Sequence, residues 1–202
     1  MDENFPDFLN APVDDGARLL LGCILEREFE NGEIARVRIV ETEAYDQDDE
    51  ASHAFGGMRT RNAVMFGPAG HLYVYFTYGM HYCCNIVTER EGHGSGVLIR
   101  AVEPILSEGN GDVFAILSEN RPKVTGVNLT NGPAKLTQAL HIDKTLNGHD
   151  LHESPLKLHT GKLRPEETIA VSSRIGISRS QSLPRRFYIA GNPYVTRHRN
   201  GY

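Results

Sequence analysis

The chain of 202 residues contains no tryptophan, few cysteines and no long run of apolar residues. A helix that spans a bilayer needs about 20 consecutive apolar residues. We therefore expect no membrane-spanning segment and no membrane partner. The residues Met1-Asp2-Glu3-Asn4 are acidic and lack the basic start and apolar stretch of a secretory signal. These absences predict a cytoplasmic protein without a targeting signal.

Cysteine is scarce, and its pattern argues against both disulfides and metal binding. The three residues Cys23, Cys83 and Cys84 are odd in number. Two adjacent cysteines do not readily close an unstrained bridge, and they lack the spacing of metal ligands. We expect reduced, buried thiols that pack as small hydrophobic groups. A glycine-rich phosphate loop and a Gly-x-Ser-x-Gly elbow are also absent from the sequence.

Four histidines in the second half of the chain raise the question of zinc. They are His141, His149, His152 and His159. The pair His149-x-x-His152 has a possible ligand spacing, but no cysteine completes the set. We interpret these residues as part of a solvated loop, and we predict neither a metal nor a cofactor.

The formal net charge of −5 argues at first against a nucleic-acid partner. However, the charge is unevenly distributed. Residues 1–57 carry 15 acidic and 4 basic side chains, whereas residues 151–202 carry 3 and 9. A polyanion responds to the local potential more than to the total charge. The basic end of the chain is therefore compatible with phosphate contacts.

The densest aromatic cluster lies in residues 72–82, which hold four of the eight tyrosines. Upstream, residues 34–45 alternate between apolar and polar side chains as a half-buried β-strand does. Continuing that period puts Glu43 and Tyr45 on the same side as Val37 and Ile39. A carboxylate on a buried strand face near tyrosines suggests a pocket for a flat ring with an acid–base group beside it.

The pattern along the chain predicts an α+β fold. We expect a single domain over residues 1–202, with a curved, mainly antiparallel sheet, a protruding β-hairpin and surrounding helices. Tyr78 should lie at the hairpin tip. The predicted helices run from Asp14-Asp15 through Leu25 and from Pro133 onward. The predicted strands are 34–45, 71–77, 82–88, 96–102 and two short ones near 168–177 and 186–190, and 46–70 and 142–167 should be loops.

Each candidate functional residue also has a purely structural interpretation. Glu43 and Arg100 can also be interpreted as a structural ion pair, because such pairs occur away from active sites. A single tyrosine such as Tyr75 can simply pack at a sheet edge. His53 can be a hydrogen-bonded loop residue. No one of these residues decides between structure and chemistry.

Several rare motifs occur together and in a fixed order. They are Val40-Glu41-Thr42-Glu43-Ala44-Tyr45, Ser52-His53-Ala54-Phe55-Gly56-Gly57, Arg61-Asn62, Met65-Phe66, Tyr73 to Met80, Asn85-Ile86, Val97 to Ala101 and Gly132 to Leu136. With them, residues 34–140 resemble the alkyladenine (3-methyladenine, N-methylpurine) DNA glycosylase family. A weaker similarity, through Arg174-Ile175-Gly176, Arg186-Phe187-Tyr188 and Gly191-Asn192-Pro193, extends to about residue 196.

The resemblance implies roles for the residues that match the family's chemistry. Glu43 matches the general base that activates a water for attack on the sugar C1′. Arg100 matches an arginine that helps to hold this water and the nearby phosphate. Lys135 does not match a nucleophile of the family. The family's chemistry therefore implies hydrolysis without strand cleavage, with no cofactor and no metal.

The resemblance also implies how a base would be recognised. Tyr45, His53 and Tyr75 match the walls that stack on an extruded base, and Tyr78 matches the wedge that fills the vacated space in the duplex. Asn85 matches a side chain that clashes with the exocyclic amino group of guanine. The loop from Asp46 to Ser52 is one residue shorter than in some members, which leaves the placement of His53 open.

The expected partner is accordingly double-stranded DNA with alkylated or deaminated purines, including hypoxanthine. We expect a monomeric bacterial enzyme of base excision repair that works at the nucleoid. Two other functions remain. A non-catalytic nucleic-acid binder would use the tyrosines but not the carboxylate. A metal-assisted hydrolase would combine Glu43 with histidines.

Overall fold

The computed structural model describes residues 5–77, 79–106 and 112–197. Its main feature is an eight-stranded antiparallel sheet. The strands are β1 Ile24–Glu28, β2 Ile34–Asp46, β3 Leu72–Thr77, β4 His81–Val87, β5 Ser95–Pro104, β6 Leu156–His159, β7 Ile169–Ser172 and β8 Arg186–Ile189. They follow the order β3-β4-β5-β2-β1-β6 in the sheet, while β8 pairs with both β2 and β7. The sheet is curled, and helices pack against it, so the predicted α+β class is confirmed. The helices are α1 Val13–Leu19, α2 Val113–Glu119 and α3 Pro133–Ala139.

The long strand β2 is the centre of the sheet. Its apolar and β-branched residues suit a pleated surface that is buried on both sides. One edge pairs with β5 from Val37 to Asp46. The other edge pairs first with β1 and then, at residues 41–43, with β8. This change of neighbour brings a strand from the end of the chain beside the middle of β2.

A pair of β-bulges corrects the predicted orientation of β2. Pairing with β5 shifts by one residue after Ile39 and shifts back before Thr42, so Val40 and Arg100 have no direct partner across the ladder. A bulge changes the direction of the side chains that follow it. Thr42 consequently faces the core, where its hydroxyl donates to the Ala17 carbonyl at 2.8 Å. The prediction that Glu41, Glu43 and Tyr45 share the face of Val37 and Ile39 is therefore wrong.

Helix α1 is shorter than predicted. It ends at Leu19 rather than near Leu25, and Ile24 already begins β1. Gly22 turns the chain with φ of +95°, and a Cβ there would lie 2.7 Å from the Lys162 backbone. This close approach requires glycine and is incompatible with a continuing helix. Asp14 and Asp15 lie in the first turn, whereas Pro12 is the N-cap.

The remaining elements agree with the pattern, with a few additions. Strands β3 and β4 form the expected hairpin, in which Thr77 pairs with His81. Tyr78, placed at its tip by the sequence, lies outside the described residues. The predicted loops hold a 3₁₀ turn at Thr60–Phe66 and another at Lys144–Leu146, together with strand β6. All three cysteines are free and buried, as predicted.

The core lies between one face of the sheet and the helices. Its largest fully buried side chains include Leu20, Ile39, Ile99 and Leu136. In the described part of the chain, no helix has the length and apolar character needed to cross a bilayer. The opposite face of the central strands carries the polar residues, and these form the site described next.

Candidate active site

A cavity of about 400 Å³ opens beside the end of β2. Four segments form it: the end of β2, the loop after it, the β3–β4 hairpin and a segment that precedes β8. Its size falls within the range of small-molecule pockets. The lining residues are Tyr45, Glu50, Ala51, His53, Met65, Tyr73, Tyr75, Thr77, Asn85, Gly176, Ile177, Ser178 and Arg179.

Three aromatic rings form one wall of this cavity. The Tyr73 and Tyr75 rings stack with their centroids 5.6 Å apart, and the His53 ring meets Tyr75 edge-on at 4.4 Å. His53 Nδ1 lies 3.0 Å from the Tyr73 hydroxyl. Burial, with a smaller contribution from Arg61, lowers the pKa of His53. The wall is therefore uncharged near neutral pH, which suits stacking on a flat ring.

The loop that carries His53 is held by Asn62, which sequence reasoning quoted in a motif but assigned no role. Asn62 is fully buried, and its Nδ2 donates to the carbonyls of His53 at 2.7 Å and Gly57 at 3.2 Å. Its Oδ1 accepts from the Arg59 amide at 2.6 Å. The position of His53 is thus set by a side chain nine residues away. An asparagine inside a motif of otherwise charged and apolar residues was the available signal.

Glu43 is fully buried behind the aromatic wall. Its Oε2 accepts from the Tyr45 hydroxyl at 2.8 Å and pairs with Arg100 Nη1 at 3.2 Å. Its Oε1 accepts from the Ile175 amide at 2.7 Å. Glu43 does not itself line the cavity. The Tyr45 side chain lies between the carboxylate and the cavity and is hydrogen-bonded to the carboxylate. A buried carboxylate with three donors is held in one orientation.

Arg100 belongs to a buried cluster that contains a second acid. Its Nε donates to Glu41 Oε1 at 2.9 Å, and Arg186 Nε donates to the same oxygen at 2.7 Å. Glu41 Oε2 accepts from the Thr196 amide at 2.6 Å. Burial alone would lower the pKa of Arg100, but Glu43 and Glu41 outweigh it and raise that pKa. The cation is permanent, and two carboxylates fix its position.

Sequence reasoning quoted Glu41 and Arg186 in motifs but assigned them no role. The alternation around Glu41 signalled a buried acid, which requires a partner. However, Arg186 reaches it from a strand 145 residues further along the chain. Nothing in the local pattern of either segment indicates that contact.

Tyr45 lies between the carboxylate and the cavity. Burial, together with the adjacent Glu43 carboxylate, raises the pKa of Tyr45, so its hydroxyl remains a donor. Behind the ring, the guanidinium of Arg174 stacks with its Cζ 4.5 Å from the ring centroid. The face of Tyr45 is thus supported by a cation that the sequence analysis did not place in the site.

Asn85 closes another side of the cavity from β4. It is only 4 % exposed, and its Nδ2 donates to the carbonyl of its cross-strand neighbour Tyr73 at 3.3 Å. This bond sets the orientation of the amide within the pocket. Burial of an amide is tolerated because it is hydrogen-bonded.

The structure therefore brings six of the predicted site residues together at or behind one cavity: Glu43, Arg100, Tyr45, His53, Tyr75 and Asn85. Tyr78 falls outside the described residues. Lys135 lies elsewhere, where its Nζ donates to Asn131 at 2.6 Å. Among the described residues, no group of three or more His, Cys, Asp or Glu side chains could hold a metal ion. His149 instead bonds the Glu153 and Leu156 carbonyls.

A second cavity of about 760 Å³ shares the wall formed by His53, Tyr73 and Tyr75. Arg61 and Lys144 line it together with Phe76, which is 57 % exposed. Arg179 lines the first cavity. Basic side chains thus occur in both cavities that share the aromatic wall, although the chain as a whole is acidic.

Comparison with known proteins points to one family of DNA glycosylases. A family model described as Methylpurine-DNA glycosylase (MPG) matches residues 7–193. Relatives named "Putative 3-methyladenine DNA glycosylase" include one from Carboxydothermus hydrogenoformans, 50% identical over 90% of this chain and 92% of its own length. Those from Chlorobaculum parvum and Methanoculleus marisnigri are 45% and 44% identical, over 96% and 90% of this chain and 91% and 92% of their own lengths.

Proposed function

Because the chain belongs to the methylpurine-DNA glycosylase family, we propose that it removes methylated purines, 3-methyladenine among them, from double-stranded DNA by hydrolysing the N-glycosidic bond. The observation that carries the proposal is the position of Glu43. This buried carboxylate lies directly behind an aromatic cavity and is joined to it by the Tyr45 hydroxyl. The site thus combines a surface that can recognise a flat ring with a carboxylate that can accept a proton.

The proposal requires the damaged base to leave the duplex. A base inside the stack is out of reach, and extrusion costs a few kcal/mol. The cavity of about 400 Å³ is small enough to grip a single purine between Tyr45 on one side and His53 with Tyr75 on the other. Stacking on aromatic rings is worth about 1–3 kcal/mol per base. A cationic methylated purine is electron-poor, which strengthens that attraction.

Glu43 is proposed to act as the general base for the attacking water. A carboxylate offers about four lone-pair sites. The Tyr45 hydroxyl and the Arg100 guanidinium engage Oε2, whereas Oε1 accepts from the Ile175 amide, and no second donor to Oε1 lies among the described residues. A water bound there would give its proton to Glu43 as its oxygen bonds to the sugar C1′, and the C1′–N bond would break with its electrons leaving on the base. A cationic purine departs as a neutral molecule, so it requires no acid.

The same geometry supports hydrolysis without strand cleavage. A lyase step needs an amine that attacks C1′ to form a Schiff base. No lysine lines the base cavity in the described residues, and Lys135 is engaged with Asn131. Arg179 in this cavity, together with Arg61 and Lys144 in the second cavity, can contact the phosphate backbone.

The two other functions have less support. A non-catalytic binder does not explain why Glu43 and Glu41 are buried with two arginines beside the aromatic wall. A metal-assisted hydrolase needs a ligand set, and the described residues offer none. Base release in the presence of a chelator distinguishes the metal mechanism from the one proposed.

The deciding experiment measures free base. A duplex treated with dimethyl sulfate is incubated with the protein, and released 3-methyladenine and 7-methylguanine are quantified by chromatography. A second duplex with one hypoxanthine tests deaminated purines. We expect 3-methyladenine release that persists in chelator and leaves the strand intact until alkali is added. No release from the methylated duplex would contradict the proposal.

A further inference from the structure

Arg174 is a buried cation that touches the base cavity only through other residues. Its side chain has no exposed surface, and it is absent from the cavity lining. It forms a buried ion pair with Asp49. Buried pairs of this kind often add little stability, because desolvation offsets the attraction. Its placement therefore calls for a role beyond holding the fold.

Arg174 is connected to the end of β2 in two ways. Its Nη1 donates to the carbonyl of Ala44 at 2.9 Å, and its guanidinium stacks over the ring of Tyr45 at 4.5 Å. Ala44 separates Glu43 from Tyr45 in sequence. The next residue after the arginine, Ile175, donates its amide to Glu43 Oε1 at 2.7 Å. One short segment therefore contacts both the carboxylate and the ring that joins it to the cavity.

Asp49 extends the connection to the loop after β2, which also lines the cavity. Its Oδ1 accepts from the Ala51 amide at 3.0 Å, and Ala51 lines the cavity. Burial would raise the pKa of Asp49, but hydrogen bonds from Arg174 and Ala51 outweigh it, and the pKa is lowered. The acid is thus charged at neutral pH, and the pair is a true ion pair.

We infer that the Arg174–Asp49 ion pair is a positioning device for the proposed glycosylase, which locks the end of β2, the loop that carries Ala51 and the segment from Ile175 to Arg179 into one base-gripping geometry. The inference rests on the proposed function. Neither residue touches the base. Each acts through Tyr45, Glu43 or the cavity backbone. Small displacements at these groups are costly, because a shift of about 1 Å can reduce a rate about 100-fold.

The test uses Arg174→Lys and Asp49→Asn in the full chain. Lysine keeps the charge but loses the stacked, bifurcated geometry, and asparagine keeps the shape but loses the charge. Single-turnover release of 3-methyladenine from dimethyl-sulfate-treated duplex, measured over a range of protein concentrations, separates the maximal rate from half-saturation. We expect the maximal rate to fall about 10- to 100-fold in both variants. The double variant should lose no more than the worse single variant, since the two residues act as a unit.

Two controls separate positioning from general damage. Arg38→Lys changes another buried arginine, paired with Glu167 at 2.5 Å and Glu103 at 3.1 Å, that has no contact with the cavity. A duplex with a tetrahydrofuran abasic analogue, added as competitor, measures DNA affinity when no base enters the pocket. We expect the parent rate in Arg38→Lys and unchanged competitor affinity in Arg174→Lys and Asp49→Asn.

The outcomes distinguish this inference from the function on which it depends. An active parent whose rate survives in Arg174→Lys and Asp49→Asn overturns the positioning role alone. Equal loss of rate and of abasic-duplex affinity, or loss of the folded state in both variants, shows a structural pair and also overturns it. A parent that releases no 3-methyladenine overturns the proposed function and the inference together.

Discussion

At the scale of single residues, the site is defined by buried charge. Glu41 and Glu43 are both fully buried, and each is paired with an arginine that is itself buried. Removing one member of such a pair costs about 3–5 kcal/mol because the other charge loses its partner. Substitutions here can therefore affect stability as well as chemistry, and the experiments must separate the two.

Changing Glu43→Gln should abolish base release while the affinity for lesion-containing DNA is retained. Glutamine cannot take a proton from water, so we expect the single-turnover rate to fall by about 10²- to 10⁴-fold. Its amide nitrogen would also face Arg100 Nη1 or the Ile175 amide, both of which are donors, so some loss of thermal stability should accompany the change. Gel-shift affinity, excision rate and thermal unfolding are measured together.

The matched control for that change is Glu167→Gln, another glutamate paired with a buried arginine but remote from the cavity. It should lose stability and keep excision. Excision near the parent rate in Glu43→Gln would show that Glu43 is not the general base, however stable the variant is.

Changing Asn85→Ser should weaken discrimination against guanine. The amide is oriented by the Tyr73 carbonyl and fills space in the cavity, and adenine-type bases lack the C2 amino group that guanine would push against it. A buried guanine amino group that lacks a good partner costs about 1–3 kcal/mol in the parent protein. The smaller serine removes much of that cost, so the ratio of guanine release to hypoxanthine release should rise about 10-fold. The ratio is measured under single-turnover conditions. If it stays constant in a folded variant, purine selectivity arises elsewhere.

At the scale of elements, the bulges in β2 and β5 and the β3–β4 hairpin determine what the site can reach. The bulge at Val40 turns Glu41 and Glu43 away from the core, and the bulge at Arg100 lies on the facing strand. The hairpin supplies Tyr73, Tyr75 and Asn85 near its base. Its outer end is exposed, with Phe76 at 57 % and Met80 at 69 %.

The hairpin end leads to a prediction for Tyr78, which remains a proposal because this residue lies outside the described part of the chain. Tyr78→Ala should weaken binding at lesions in duplex DNA, since no side chain would fill the space of an extruded base. Flipping is followed with a fluorescent base analogue in the duplex. Phe76→Ala, an exposed aromatic on the same hairpin, serves as the comparison. An unchanged flipping equilibrium in Tyr78→Ala would assign it a structural role.

At the scale of the whole molecule, paired carboxylates make stability depend on pH. Hydrogen bonds from Arg38 lower the pKa of Glu167 although burial opposes them. Burial would raise the pKa of Asp49, but Arg174 and the Ala51 amide together outweigh it and lower that pKa. A depressed folded-state pKa means that the folded protein binds fewer protons. Its stabilising contribution is complete above the unfolded pKa, about 4, and is lost as the pH falls through the folded value.

We therefore expect the thermal midpoint to be nearly constant from about pH 7 to 5 and to fall steeply below about pH 4. Scanning calorimetry over this range provides the measurement. Glu167→Gln should start lower at neutral pH and decline less on acidification, because one of the titrating pairs is absent. A midpoint that rises on acidification would contradict the assignment of these pairs.

The sequence by itself predicted the α+β class, six of the eight strands, and six side chains that the structure brings to one cavity. Strands such as β2, β4 and β5 appeared within a few residues of their predicted bounds, because alternation and β-branched content report local backbone preference. Six predicted side chains meet at the cavity because rare residues in a fixed order carry the resemblance to the family. The boundary of α1 was wrong, since Gly22 turns where another segment passes too close for a side chain.

Only the tertiary structure decided which way the side chains of β2 face and what holds them. The bulges in β2 and β5 reverse the alternation of buried and exposed side chains that the sequence predicts for β2. A bulge depends on pairing with a neighbouring strand rather than on the local sequence pattern. Arg174, Arg186 and Ile175 reach Glu41, Glu43 and Tyr45 from more than a hundred residues away. Such contacts arise from the packing of β8 and its preceding segment against β2, and no local periodicity encodes them.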